Sequence, residues 1–209
     1  VRRDIKILNL YAGIGGNRKL WTDVEVTAVE LNPLRAEIYQ DFYPKDKVLV
    51  CDAHKYLLDY YHLYDFIWSS VPCPSHSKAR YWGSFGKNKT KIYPDMALYQ
   101  EIIFLKHYCK KKWVVENVKP YYEPLVKAQE CGRHLFWANF YITPKDFKTK
   151  FTPNQGFASL QKTYGVDLSK YKLPYGQDNR IILRDYVEPE LGLHILNESK
   201  RDIQPELFR

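Results

Sequence analysis

The sequence predicts an α/β fold, a mainly parallel sheet with helices on both faces. Short apolar runs alternate with helix-period segments, a glycine-rich turn closes the first run, and acidic or otherwise reactive residues fall near the ends of the later ones. In order, IKILNL (5–10) reads as a buried strand ended by YAGIGG, and VEVTAVE (24–30) as a second strand. PLRAEIYQDFY (33–43) reads as a helix with proline in its first turn, where no backbone N–H is needed. KVLVC (47–51), YDFIWSS (64–70) and WVVENV (113–118) continue the strands, with helices in AHKYLLDYYH (53–62) and DMALYQEIIFLKHYC (95–109). CGRHLFWANF (131–140) reads as a further strand, and a helical pattern resumes in RIILRDYVEPELGLHIL. Between them, residues 144–179 are rich in Lys, Thr, Pro, Gly and Asn without a clear period, and a loop-rich, solvated excursion is expected there. The expected division is residues 1–143 plus 180–209 as one domain and 144–179 as a small second region.

A chain of 209 residues supports one core of ordinary size. No apolar run approaches the length of a membrane span, and a soluble, cytoplasmic protein without membrane contact is expected. The four cysteines (51, 73, 109 and 131) are too far apart for a CxxC pair, which favours free thiols over a metal site or disulfide framework. A net charge of +8 and a pI near 9.1, with tyrosine and tryptophan among the lysines, suit a polyanionic partner.

In parallel sheets, ligands sit beyond the carboxyl ends of the strands, where Tyr11 to Gly16, Glu30, Asp52, Cys73 and Glu116 fall. Gly13, Gly15 and Gly16 permit a tight turn and close backbone approach, Glu30 suits ribose hydroxyls, and Asp52 suits an adenine amino group. The glycine spacing is not that of a dinucleotide site, and GK[ST] is missing. A nucleoside cofactor with no phosphates to repel fits two acids better, and S-adenosylmethionine meets that description. A lone cysteine usually acts as a small hydrophobe. Cys73, however, lies in a polar loop with Lys78 and Arg80 close behind, which is expected to lower its pKa and favour the thiolate. Glu116, near apolar walls, is expected to keep its proton and hand it to a substrate nitrogen.

The blocks NLYAGIGG, VELNP, CDAHKY, DFIWSSVPCPSHS and VVENV, in that order and spacing, resemble those of the DNA (cytosine-5)-methyltransferase family across roughly residues 5–143. RIILRDYVEPELGLHIL resembles its closing segment, which packs back onto the cofactor site. The resemblance implies a Rossmann-like S-adenosylmethionine-dependent methyltransferase fold with a small loop-rich target-recognition lobe. It also implies methyl transfer to carbon 5 of cytosine through a covalent Cys73 adduct, with Glu116 at ring nitrogen 3, on a base flipped out of double-stranded DNA. The implied cofactor site comprises Tyr11, Ala12, Gly13, Gly15, Gly16, Glu30, Leu31, Asp52, Ala53, Pro72 and Asp185. KARYWGSFGKNKT resembles the family's mobile loop, with Ser77, Lys78, Arg80, Lys87 and Lys89 toward DNA and Gly83 and Gly86 as hinges.

Between the last two blocks the family reads sequence. Lys148 and Lys150, with lysines 145, 162, 170 and 172, would meet phosphates here, and Asn154, Gln155 and Gln161 base edges. So short a region implies a short target, or help from a second subunit or dimer mate. Compact relatives of this kind often look phage-encoded, and the resemblance leaves restriction-modification, phage protection and other roles open.

Departures from the family pattern are Asn9 for aspartate, Tyr11 for phenylalanine, Pro74 for glutamine, His76 for an aromatic and Asp185 for asparagine. The block that supplies an arginine to the cytosine ring oxygen holds His134 at that position and Arg133 one residue earlier. Because a strand alternates faces, only one of the two is expected in the pocket, with Arg133 favoured over His134. Two other readings remain: an RNA cytosine-5 methyltransferase using the same thiol and acid, and a degenerate relative that binds cofactor or DNA without catalysis.

Overall fold

The structure is a computed structural model that describes residues 4–83, 92–147, 155–173 and 179–201. Its strands are β1 (Ile5–Leu10), β2 (Val24–Val29), β3 (Lys47–Leu49), β4 (Phe66–Ser69), β5 (Lys112–Val118), β6 (Gln129–Cys131) and β7 (His134–Ala138). They form one sheet in the order β3-β2-β1-β4-β5-β7-β6. The pairs β3–β2, β2–β1, β1–β4 and β4–β5 are parallel, and β7 runs antiparallel to both β5 and β6. From β1 the chain builds outward to β2 and β3, then crosses back to β4. That reversal opens a crevice at the carboxyl ends of β1 and β4.

The helices are α1 (Pro33–Phe42), α2 (Ala53–Tyr60), α3 (Lys78–Gly83), α4 (Ala97–Tyr108), α5 (Phe157–Tyr164), α6 (Ile181–Arg184) and α7 (Pro189–Ser199). Asn32 caps α1 by accepting from Arg35 N at 3.1 Å, and Pro33 follows in the first turn, as the sequence predicts. Strand alternation fills two faces. Leu8, Ile67 and Val115 pack with Leu57 of α2 and Leu98, Ile102 and Leu105 of α4. Ile7, Phe66 and Val114 pack on the opposite face with Leu191, Ile195 and Leu196 of α7.

Two expectations are corrected. The loop-rich excursion from 144 is not solvated throughout, because α5 within it is packed. Leu160, Tyr164 and Leu168 are buried against Ile14, Ile38 and Leu183, so the described part of this segment shares a core with α1 and α6. The closing helical pattern is two helices, broken over residues 185–188 before Pro189 starts α7. Among the described residues, no helix is long and apolar enough to cross a membrane, and no group of three His, Cys, Asp or Glu residues is set to hold a metal.

Candidate active site

Cys73 sits just past β4 between two prolines that restrict the backbone on either side. Its carbonyl accepts from His76 N (3.0 Å) and Ser77 N (3.1 Å), which turns the loop back on itself. His76 is fully buried, with Nδ1 2.6 Å from the hydroxyl of Tyr122, and its carbonyl accepts from Tyr121 N at 3.2 Å. The ring of Tyr81 on α3 stacks on Tyr121 at 4.1 Å. From the other side, buried Asn117 donates from Nδ2 to Val71 O at 2.9 Å. The cysteine loop is thus fastened to β5 and the segment that follows it, beside Glu116.

Glu116 lies inside β5, two residues before its end, and is buried. Burial pushes its carboxyl up to about 7; the Ser70 hydroxyl and Arg133 oppose this, while Glu188 and Asp185 add to it. The acid therefore holds its proton to higher pH than an ordinary carboxyl and is part-protonated at neutrality. The expected activation of the thiol is overturned. Burial pushes Cys73 up to about 12, the Asp185 and Glu116 carboxylates push the same way, and only a backbone hydrogen bond and Arg133 oppose them. Lys78 is exposed at the start of α3, and acids dominate the surroundings of the sulfur.

The alternation argument for Arg133 and His134 is also corrected, since the two do not share a strand. Gly132, at φ +58°, and Arg133 form the turn between β6 and β7, and His134 opens β7. Arg133 Nε lies 3.4 Å from a Glu188 oxygen. His134 is buried with Nε2 3.6 Å from Glu116, and burial followed by Arg133 and Lys119 pushes its pKa down to about 3, so it is neutral. Both residues border the acid.

At the crevice, a concavity is lined by Tyr11, Gly13, Gly16, Ser70 and Asp185, among others. Gly13 has φ +54°, and a Cβ there would meet nothing within 4 Å, which leaves its backbone open to a ligand. Glu30 is buried, with its two oxygens accepting from Gly13 N (2.8 Å) and Asn32 N (2.9 Å). Gly15 and Gly16 serve packing instead. A Cβ on Gly15 would come within 2.3 Å of the Tyr43 ring, and one on Gly16 within 2.5 Å of Val187 O, where the closing segment presses on the glycine loop. Asp52 caps α2 by accepting from Lys55 N at 2.7 Å. Ala12 and Ala53 are buried in the core, whereas Leu31 and Pro72 are exposed. Asn9 makes a reciprocal amide pair with Asn17, with the shorter bond at 2.9 Å.

Three contributors are absent from the sequence reading. Ser70 accepts from Trp68 Nε1 at 2.7 Å and bonds to Glu116, linking the concavity to the acid. Asn117 fastens the cysteine loop. Glu101, fully buried on α4, accepts from Tyr11 and Ser69 hydroxyls (2.5 Å each) and lies 3.2 Å from His54 Nδ1. The extra hydroxyl of Tyr11 was the one available signal, since a buried phenol needs a partner.

Of the expected DNA contacts, Ser77 bridges to Pro120. Lys87, Lys89, Lys148 and Lys150, with Gly86 and Asn154, lie outside the described residues, as does the side chain of Arg80. Gln155 and Gln161 are engaged internally, Gln155 with Ser159 and Thr163, and Gln161 accepting from Leu168 N at 2.6 Å. Lys170 pairs with Asp41.

The profile of the family described as C-5 cytosine-specific DNA methylase matches residues 5–124, more than half of the chain. The chain belongs to that family. Its methylase fold is also found in the Entamoeba histolytica methyltransferase EhMeth, which aligns over 97% of this chain and 100% of its own at 11% identity and a TM-score of 0.57. A triple-mutant DNMT2 from Spodoptera frugiperda is 26% identical over 56% of this chain, with a TM-score of 0.39. The chain spans 36% of that protein's length. A search of curated proteins gave no match. The methylase family uses S-adenosylmethionine, and the glycine loop suits it, with open backbone at Gly13 and a buried acid that accepts from that glycine's N–H.

Proposed function

We propose that this methylase is a DNA (cytosine-5)-methyltransferase acting through Cys73 on a flipped cytosine. The observation that carries the reading is that Ser70, which lines the concavity, bonds to Glu116, while the neighbouring Asn117 ties the Cys73 loop to the same strand through Val71 O. Glu30 and the backbone at Gly13 would hold the nucleoside, with Asp52 at the adenine. When bound, S-adenosylmethionine supplies an electrophilic methyl group on a positive sulfonium, a charge that also favours the thiolate. The Cys73 thiol gives its proton to water and its sulfur bonds to carbon 6 while Glu116 gives its proton to ring nitrogen 3, making carbon 5 nucleophilic enough to accept a methyl group. Water takes the carbon 5 proton, the carbon–hydrogen pair re-forms the 5,6 double bond as the sulfur leaves with the sulfur–carbon pair, and the nitrogen 3 proton returns to Glu116. Arg133 borders the site as a donor to the ring oxygen, and neutral His134 stands beside the acid.

Flipping the base costs a few kcal/mol. Ser77, Lys78 and Arg80, with Lys87, Lys89, Lys148 and Lys150, are the proposed phosphate contacts that offset it, and residues 144–179 the proposed target-recognition region. A dimer mate or second subunit would extend that short region. RNA is the second reading, favoured by Trp82, which is 68% exposed on α3 and offers a ring on which an unpaired base can stack. Methyl transfer to duplex DNA by wild type and by Cys73→Ala tests the proposal. The variant is expected to lose transfer and keep cofactor binding, and a 5-fluorocytosine duplex is expected to trap the wild type covalently. Turnover by Cys73→Ala would refute it.

A further inference from the structure

Leu10 and Ser69 are the last partners in the ladder between β1 and β4, and the crevice opens beyond them. Past that point the ladder no longer sets the distance between its two edges. On the β1 edge, Tyr11 lines the concavity with φ +54°, a left-handed conformation that a bulky residue adopts only when its surroundings hold it there. Its hydroxyl donates to Glu101 Oε1 at 2.5 Å. On the β4 edge, the Ser69 hydroxyl donates to Glu101 Oε2, also at 2.5 Å. A single carboxylate thus spans the crevice, with one oxygen for each edge.

Glu101 is fully buried on α4, and His54 Nδ1, from α2, lies 3.2 Å from the oxygen that Tyr11 uses. Burial, and after it Glu101, push the Tyr11 pKa upward, so the phenol keeps its proton and stays a donor. The His54 pKa is raised as well, first through its bond to Glu101. Stability alone does not account for such an acid, since an apolar side chain of similar volume would fill the same space without a charge to desolvate. The β4 edge also leads to the chemistry. Ser70, next in the chain after Ser69, lines the concavity and bonds to Glu116.

We propose that Glu101 is a positioning residue, a clamp that fixes the ends of β1 and β4 at the spacing, and Tyr11 in the backbone conformation, that S-adenosylmethionine requires. The inference rests on the cofactor assignment of the concavity and adds a residue that acts on the cofactor only through Tyr11 and Ser69.

Calorimetric titration of the full chain with S-adenosylhomocysteine tests it, at a temperature where thermal unfolding shows every variant folded. Tyr11→Phe and Ser69→Ala, which each release one end of the clamp, are expected to weaken binding about 3- to 10-fold, the scale of one hydrogen bond. Glu101→Ala should weaken it about 10-fold or more, and Glu101→Gln, which keeps the shape and one acceptor oxygen, should retain part of the affinity. Once Glu101 is alanine, Tyr11→Phe should add less than about 2-fold, because the two side chains act through one bond. Where Glu101→Ala does not fold, the Tyr11→Phe and Ser69→Ala double variant answers the same question: it should bind within about 2-fold of the weaker single variant, since opening either end releases the clamp. Lower melting temperatures with affinity unchanged within about 2-fold would reduce Glu101 to a brace of the core, and losses that multiply across the variants would mean that the side chains act independently. Either outcome overturns the inference alone. A wild type that does not bind S-adenosylhomocysteine would overturn the cofactor assignment and the inference together.

Discussion

Glu116 shows what a buried acid costs and what it supplies. Its carboxyl stands at about 7 in the fold against an ordinary value of 4.5, chiefly through burial. A raised pKa means that the native state holds the proton more tightly than the unfolded chain, so its contribution is complete at low pH and is lost as pH climbs through 4.5 to 7. Between pH 5 and pH 8 the loss is about 2 to 3 kcal/mol. Glutamine cannot ionise, so Glu116→Gln escapes it. Thermal unfolding of both proteins at the two pH values should show the variant gaining roughly 5 to 10 °C on wild type toward pH 8. His134, depressed to about 3, works in the opposite direction, removing stability as pH falls, but it is common to both proteins and cancels in the difference. The same variant should lose about 100-fold or more of its methyl transfer, the lower range for a general acid. A pH-independent gap in melting temperature would mean that the carboxyl is not held protonated.

At the scale of elements, the closing helix completes the site. Gly192 of α7 lies against Asn17, and a Cβ there would come within 2.3 Å of the Asn17 carbonyl oxygen. The obstacle is backbone, so it cannot rotate away. Gly192→Ala should therefore cost about 2 kcal/mol or more, net of the better helix propensity of alanine, and lower the melting temperature by roughly 4 °C or more. Because Asn17 lines the concavity, affinity for S-adenosylhomocysteine should fall as well. Gly156→Ala, where a Cβ meets nothing, should stay within about 1 kcal/mol of wild type. The strand-end positions of Gly13, Glu30, Asp52 and Cys73 were legible because apolar period and turn residues mark where each strand stops. Other features were not. Arg133 reads as strand within CGRHLFW, yet Gly132 adopts a positive φ and makes a turn, a conformation no local pattern announces. Helix α5 is only eight residues long, and its apolar face is defined by Ile14, Ile38 and Leu183, which are distant in sequence. Glu101 finds its partners 90, 47 and 32 positions away, and the acids that raise the Cys73 pKa come from β5 and the closing segment.

For the molecule as a whole, the question is which polyanion the +8 charge serves. Charge gives affinity for any phosphate backbone, so binding alone cannot separate duplex DNA from RNA. Transfer can. A duplex buries both faces of cytosine, and the protein must recover the cost of flipping through contacts to the surrounding phosphates, whereas an unpaired loop base needs fewer of them. DNA methylation should therefore fall steeply with salt, each phosphate contact adding about 0.9 to the slope of log affinity against log salt. Lys78, exposed on the helix that follows the cysteine loop, is one of the proposed contacts. Lys78→Ala should weaken binding to duplexes of any sequence alike and lower that slope by about 1. Assayed side by side with labelled S-adenosylmethionine, duplex DNA should accept methyl groups and transfer RNA should not. The reverse result, with a slope indifferent to Lys78, would assign the thiol and the acid to an unpaired cytosine in RNA.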